Sequence, residues 1–554
     1  MKQKQLSIIY CLLLLTLGTS CKKTTSLSTT EQDGDILQSS KGRTSKTLVI
    51  NHVGGILHTD ADFERMKVKV NAAAQPWKGS WDKLLASPHS SSTWTSHATA
   101  TVIRGGTGDN VSLLYNDVAA AYQNALIYRI NGNTANGDKA RDILNQWSST
   151  LTSIGGNADR FLAAGIFGYQ LANAGEMMRN YSGFNVTNFR NMLVNIFYPM
   201  NNQFLLNHND ACITNYWANW DLCNMASILA IGIFADDQAK VDQAVDYFKN
   251  GAGNGSILHA VPFLHTGGLG QWQESGRDQG HCQLGVGLMG AICEMAWNQG
   301  TDLYGYSSSR FKQGAEYVAR YNNGNDVPFT TYNWGTGQNC AAQSHTVVSS
   351  AGRAEMRAIY EMIYGHYAGR LGVAVPNVEE RAVLHRPEGG PGGHATTFDQ
   401  PGYGSLTFYR DATSHPVANG TYSLRNRASG KMLDNAGSTA DGNPVKQYTD
   451  GTSNNQKWTV NYSNGYYKLT CVTGGKCLDS FNNTANGSSV HQWANGGSPN
   501  QQWQIVDLGN GYFKVFNRAN GKCLDTGGAT ADGATMQFWA SGSSNNQQWA
   551  FVAP

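Results

Sequence analysis

A chain of 554 residues is too long for one ordinary hydrophobic core and implies two or more domains. Lysine and arginine number 41 against 39 aspartates and glutamates, a formal charge of +2. That argues against a nucleic-acid binder driven by bulk electrostatics, although a locally basic cleft remains open. Hydrophobic residues at 40% and aromatics at 10% are those of a globular protein, and 63 glycines beside 13 prolines imply many tight turns.

At the N-terminus Lys2 and Lys4 precede the apolar run LSIIYCLLLLTLG, which is short for a membrane span and reads as an export signal. It ends in LGTSC, which resembles a bacterial lipobox with Gly18 where leucine is usual, so Cys21 is the expected lipidation site. An ordinary secretory signal is the alternative. Residues 1–21 are thus a lipoprotein-type signal, and the polar stretch 22–48 suits a flexible tether. The expected location is the outer membrane, periplasmic or surface-facing, or the medium if the lipobox is unused. Without Cys11 and Cys21, eight of the ten cysteines remain, with no CxxC pair, no zinc spacing and no readable pairing.

Residues 49–411 read mostly as helix. VSLLYNDVAAAYQNALIYRI (111–130) keeps apolar residues three and four apart, as do RFLAAGIFGYQLANAGEMM, WANWDLCNMASILAIGIFA and AEMRAIYEMIYGHYAG. A series of amphipathic hairpins without a fixed repeat length favours a closed α/α toroid. GNTANGDK has phosphate-loop glycine spacing but carries Asp138 where lysine is needed, and no HExxH, GxSxG or EF-hand pattern occurs. The glycine-rich 385–411 reads as a loop or small strand pair, and 412–418 as a linker.

Two polar constellations interrupt the helices. In NYWANWD, Asn215 and Asn219 stand four apart beside Trp217 and Trp220. In QWQESGRDQGHCQ, Glu274, Arg277 and His281 fall at spacings that would share one side of a helix. Aromatic rings beside amides and charges suit a sugar-binding cleft. Plainer readings exist: Asn215 as a helix cap, Glu274 as a favourable charge at a helix start, Arg277 as a surface ion-pair partner, His281 as a buried structural group.

With GGILHTDADFERMKVKVNAAAQPWKGSWDKLLAS (54–87) and GRAEMRAIYEMIYGHY, these motifs resemble the alginate-lyase family of polysaccharide lyases over about residues 50–370. The resemblance implies an α/α toroid that cleaves uronic-acid polymers by β-elimination. The C5 proton of a uronate is weakly acidic because the adjacent carboxylate is already negative. Its removal needs that charge neutralised, a base, and an acid for the departing O4. The resemblance assigns Asn219, or Asn215, to neutralisation, His281 to the base, and Arg277 to a carboxylate or subsite clamp. The tyrosine stays open among Tyr216, Tyr332 and Tyr360, of which Tyr360 enters the expected catalytic set. Asn215, Trp217, Trp220 and Glu274 are the expected substrate contacts.

From about Gly420 short β-type runs and turn residues take over. GKMLD, GKCLD and GKCLD end at Asp434, Asp479 and Asp525; NQKW, NQQW and NQQW end at Trp458, Trp503 and Trp549, each series stepping by 45 and then 46 residues. Three units too small to bury their own cores imply a threefold closed barrel. The pattern resembles the ricin-B-type lectin, a β-trefoil of Gln-x-Trp repeats, over 419–554. That likeness implies core tryptophans in each QxW and sugar contacts elsewhere in each repeat. The third repeat offers Asp525, Gln537, Trp539 and Asn546; the second offers Asp479, His491, Trp493 and Asn500. These two are the expected sugar sites, while the first, with Asp434, Lys446, Tyr448 and Asn455, departs most.

The sequence therefore reads as a mainly-α toroid followed by an all-β trefoil: an exported, monomeric polysaccharide lyase acting on alginate or a related uronan. Its expected partners are the polymer and trefoil sugars, with the membrane touched only through a lipid anchor and no nucleic acid. No cofactor or metal is expected. The rivals are a glycoside hydrolase on the same toroid, using Asp221 with Glu274 or Asp278 as paired carboxylates, and a non-catalytic surface glycan-binding protein.

Overall fold

A computed structural model of the chain describes residues 50–52, 55–390, 398–411 and 415–554, so Cys21 and the signal lie outside the described residues. Helices α1 (Asp60–Asn71) and α2 (Trp77–Leu85) lead into a series of helix pairs. These are α3 (Val111–Asn131) with α4 (Thr134–Thr150), then α5 (Arg160–Met178) with α6 (Val186–Met192) and α7 (Tyr198–Asn207), then α8 (Ala218–Phe234) with α9 (Gln238–Asn250). After a short α10 (Ile257–Ala260) come α11 (Gln279–Asn298) with α12 (Tyr306–Asn322), α13 (Tyr360–Tyr364) with α14 (Pro376–His385), and α15 (Gly404–Thr407). Residues 398–411, read from sequence as a loop or strand pair, carry α15 instead.

The first helix of each pair touches the first of the next, running α3–α5–α8–α11–α13, and α15, α2 and α1 close the circuit back to α3. The second helices lie outside. Sequence explains the division. Outer α9 buries only Val241, Ala244 and Phe248, a three-and-four spacing that covers one face. Inner α5, α8 and α11 are rich in glycine, alanine and larger apolar residues and are buried on nearly every side. Small residues set how closely they approach: a Cβ on Gly165 of α5 would lie 2.5 Å from Cys223 Sγ and 2.9 Å from the Asn224 backbone nitrogen of α8.

The C-terminal strands form one closed system of three repeats. Trp458, Trp503 and Trp549 are fully buried, and their indole N–H groups donate to the carbonyls of Leu433, Leu478 and Leu524 at 3.0, 3.1 and 3.0 Å. The glutamine of each QxW seals a turn, Gln456, Gln501 and Gln547 accepting from the Gly451, Gly496 and Gly542 amides at 2.9, 2.8 and 2.8 Å. A lysine from each repeat reaches a neighbouring repeat's turn: Lys431 to Asp532, Lys476 to Asp441 and Lys522 to Asn486.

This trefoil docks on the toroid at the far end of α11. Arg518 donates to the Trp297 carbonyl at 3.0 Å, and its guanidinium lies 4.2 Å from the Tyr466 ring centroid and 4.8 Å from that of Trp297. Lys514 pairs with Glu64 of α1 at 3.0 Å, and Tyr462 donates to the Arg370 carbonyl at 2.8 Å. Arg370 is itself buried and paired with Glu294 of α11.

Gly165→Ala should destabilise the protein by about 1–3 kcal/mol, because the added methyl meets the α8 backbone as well as the buried Cys223 sulfur. Urea unfolding of the variant against the wild type measures it.

Candidate functional site

The starts of α8 and α11 meet. Trp217 precedes α8 in extended conformation (φ −72°, ψ 162°), which throws its ring outward from the helix start. Gln273 ties the two segments, its Oε1 accepting from the Ala218 amide at 3.0 Å. Residues 274–278 form a turn rather than the expected helix, and α11 begins only after Asp278, whose side chain caps it by accepting from the His281 amide at 2.8 Å. The turn nevertheless gathers the charges. Arg277 donates to Glu274 Oε1 at 3.0 Å, contacts His281 Nε2 at 3.2 Å and lies over the Trp217 ring at 5.2 Å. His281 Nδ1 meets Asp278 Oδ2 at 2.8 Å, and the imidazole is 41% exposed.

Glu274 stands behind this group, fully buried with Oε2 unpartnered. Burial pushes its carboxyl above the ordinary range against the pull of Arg277. Asn219 is also buried, with Oδ1 unpartnered.

A second wall comes from a hairpin of which the sequence singled out only Tyr332. Tyr332–Thr336 and Ala341–His345 pair as an antiparallel hairpin with Tyr332 opposite His345. The His345 ring lies nearly parallel to Trp217 (9°, centroids 5.7 Å apart), and Trp334 approaches Trp217 at 5.0 Å. Burial lowers the His345 pKa, and its Nδ1 is buried without a partner. The Tyr332 hydroxyl accepts from Gln273 Nε2 at 3.0 Å and donates to Asn254 Oδ1 at 3.1 Å, while burial raises its pKa. A Cβ on Gly276 would meet the His345 side chain at 2.4 Å, so glycine lets the hairpin rest directly on the charged turn.

The hairpin is pinned to the segment before α8. Cys212 and Cys340 form a disulfide with Cα atoms 5.3 Å apart, the one pairing among the described cysteines. Thr214 Oγ1 donates to the Gly335 carbonyl at 3.0 Å and accepts from its amide at 2.9 Å. Asn215 Oδ1 accepts from Thr336 Oγ1 at 2.9 Å and from the Gly337 amide at 2.7 Å.

Several expectations change accordingly. Asn215 neither caps α8 nor offers its oxygen to a substrate, because the hairpin consumes that oxygen. Trp220 turns away from Trp217 and packs on Tyr216 at 4.6 Å and Phe204 at 5.8 Å. Tyr360 is sealed in the core with its hydroxyl donating to Gln283 at 3.0 Å, so it has no route to a substrate. Tyr216 packs on Phe204 and accepts from Asn209 Nδ2 at 2.9 Å. Apart from Tyr332, nothing marks the hairpin in sequence, because TYNWGTGQNCAAQSH carries no charge cluster and no cysteine spacing that pairs Cys340 with Cys212.

The trefoil rims differ among repeats. In the third, Trp539 is 44% exposed and Asn546 is half-buried with a free side chain, beside Gly527 and Gly528. In the second, Phe481 and Asn482 occupy the equivalent of those glycines. Phe481 packs on His491 at 4.8 Å and Trp493 at 5.3 Å, and Asn500 spends its amide on Asn482 (2.8 Å) and Ser480 (3.0 Å). The second rim is therefore crowded by its own side chains: Asn500 is spent within the repeat, against the expectation that it contacts sugar, while Phe481 stays 42% exposed beside the half-buried Trp493.

The helical domain thus carries a cluster of aromatic and charged side chains at the starts of two inner helices, and it is joined to a β-trefoil. Residues 106–329 match the alginate lyase family, and overlapping windows 377–448, 406–493, 454–539 and 499–553 match the ricin-type β-trefoil lectin domain-like family. The two matches, the first of which spans both polar constellations, support a polysaccharide-active protein with a sugar-binding module. No curated protein matches it. Among solved structures it is similar to a designed threefold symmetric protein, ThreeFoil, at 41% identity over 24% of this chain and 99% of that one (TM-score 0.24). It is similar to an exo-β-1,3-galactanase from Clostridium thermocellum at 34% identity over 25% of this chain and 31% of that one (TM-score 0.24). A Macrolepiota procera ricin B-like lectin in complex with lactose shares 22% identity over 25% of this chain and 98% of that one (TM-score 0.23).

Two outcomes are expected. Cys340→Ser should cost about 2–4 kcal/mol and speed amide exchange across residues 332–345, read by hydrogen–deuterium exchange mass spectrometry. For Asp278, burial raises the carboxyl pKa, but hydrogen bonds from the His281 side chain and backbone outweigh it and hold it below 3.8. A depressed carboxyl stabilises the fold above its unfolded value, and that contribution fades as pH falls through the folded one. Asp278→Asn should therefore lose less stability than the wild type on acidification from about pH 6 to pH 3, as measured by urea unfolding at each pH.

Proposed function

We propose that the helical domain is a polysaccharide lyase that cleaves alginate or a related uronan by β-elimination, with the trefoil holding it on the polymer. The arrangement of Arg277, His281 and Asp278 carries this reading. Arginine only donates, so the 3.2 Å contact makes His281 Nε2 an acceptor and leaves Nδ1–H to donate to Asp278. His281 is thereby presented as a neutral imidazole, its basic nitrogen beside a guanidinium. A uronate carboxylate that draws on Arg277 releases Nε2 to take the C5 proton, while the guanidinium offsets the charge building on the carboxylate. The electron pair left at C5 forms the C4–C5 double bond and expels O4, which takes up a proton. His345 stands on the facing hairpin as the donor for that step in place of Tyr360, while Tyr332, buried with its hydroxyl spent on Asn254 and Gln273, supports the hairpin behind it. Asn219, with its buried unpartnered oxygen, is the amide beside the cleft.

The hydrolase alternative is less well supported, because its carboxylates are already committed. Asp221 is buried, accepting from the Gly255 amide at 2.8 Å and paired with His208 at 2.9 Å. Glu274 is held by Arg277, and Asp278 by His281. We also propose export with lipidation at Cys21 and action as a monomer.

Purified protein supplied with alginate, polygalacturonate, glucuronan and hyaluronan should generate the ultraviolet absorbance of the unsaturated uronate on one or more of them. Reducing ends without that absorbance would show hydrolysis instead. Arg277→Ala and His281→Ala should each lower kcat by about 10²–10⁴-fold while polymer binding through the trefoil persists.

A further inference from the structure

The three trefoil repeats share a core but not a rim. The rim of the first repeat combines groups found together in neither of the others. Its floor is small, Ala436 and Gly437, where the second repeat carries Phe481 and Asn482. Tyr448 is half-buried and lies against the Gly533 turn, where an added Cβ would stand 3.2 Å from its hydroxyl. Asn455 is half-buried, and its side chain has no hydrogen-bond partner among the described residues.

Two differences concern charge. In the second and third repeats the buried aspartate gives Oδ2 to a glutamine amide, Asp479 to Gln501 at 2.8 Å and Asp525 to Gln547 at 2.9 Å. In all three the same Nε2 also donates to a matching carbonyl, Thr449, Ala494 or Ala540, at 2.9, 2.8 and 2.9 Å; among the described residues, Asp434 alone lacks the glutamine bond to Oδ2. Directly across the strand pair from Asp434 stands Lys446, at the position held by His491 and Gln537 in the other repeats. Its ammonium pairs with no carboxylate among the described residues, whereas Lys431 and Lys476 are both committed to aspartates.

We infer that the first repeat is an open sugar site selective for an acidic sugar, whose carboxylate Lys446 receives while Tyr448 stacks on the ring and Asp434 accepts from ring hydroxyls. An aromatic face and a buried acceptor are what a pyranose needs, and an uncommitted ammonium in place of an amide adds preference for a negative charge. The inference rests on the trefoil's role as a glycan-binding module and names the sugar class that one of its sites takes. It would let one polymer serve as both anchor and substrate.

Affinity electrophoresis of the full-length protein in gels containing polygalacturonate, alginate or neutral galactan tests it. Lys446→Gln should weaken retention by the acidic polymers about tenfold, the scale of one charge-assisted contact, and leave retention by galactan as in the wild type. Lys446→Arg should restore it, and the difference between Lys446→Gln and wild type should shrink as salt rises. Tyr448→Ala should reproduce the loss. Equal retention of wild type and Lys446→Gln on both acidic polymers at low salt overturns the inference, as does an equal loss on galactan. If turnover of a uronan persists in either case, the lyase reading stands. A wild-type protein retained by none of the polymers overturns the inference and the trefoil's anchoring role together.

Discussion

Helix α11 is buried along almost its whole length, and a buried helix must find partners for the polar groups at both its ends. At its N-terminus Asp278 supplies them, and the same carboxylate holds His281 by its Nδ1. At its C-terminal end the Trp297 carbonyl is met by Arg518 of the trefoil. The helix is about 30 Å long, so cleft and lectin module are fixed at opposite ends of one rigid rod. Glu294, near the trefoil end, binds Arg370 inside the core, and that pair cannot be half removed without leaving a buried charge.

The cleft is a junction of three pieces, none of which makes it alone. The start of α8 presents Trp217, the turn before α11 presents Arg277 and His281, and the hairpin lays Trp334 and His345 over both. Hairpins standing alone are marginally stable in water. This one is held by a disulfide and by hydrogen bonds from Thr214 and Asn215, all from the segment just before α8. Loss of the tether would therefore disturb the cleft before the core. The family match to residues 106–329 stops short of the hairpin, so this wall belongs to a stretch outside that match.

In the trefoil, packing and binding are under different constraints. Each QxW tryptophan must fill the same cavity and reach the same leucine carbonyl, so the three copies stay alike. The rim touches solvent, where one side chain can be exchanged without cost to the core. Phe481 and Asn482 crowd one rim, two glycines open another, and Lys446 charges the third. Threefold symmetry of the fold thus coexists with three different surfaces.

How much was legible in the sequence depended on whether the cause was local. The helix periodicity, the QxW repeats and the cluster of Glu274, Arg277 and His281 are properties of short stretches, and each marked a true feature of the chain. Their assembly was not legible. Helical spacing suggested one face for the three charged residues, yet Asp278 ends the turn and starts the helix, and the residues meet through side-chain bonds. Tyr360, Trp220 and Asn215 looked like site residues because aromatic and amide groups suit both clefts and cores; only burial and partners separate the two uses. The sequence by itself determined two domains, their classes and the chemistry available at the α8 and α11 starts, because periodicity and composition are written locally. The tertiary structure alone decided that Cys212 finds Cys340 and that a distant hairpin supplies the second wall, because each depends on residues far apart in the chain reaching one place.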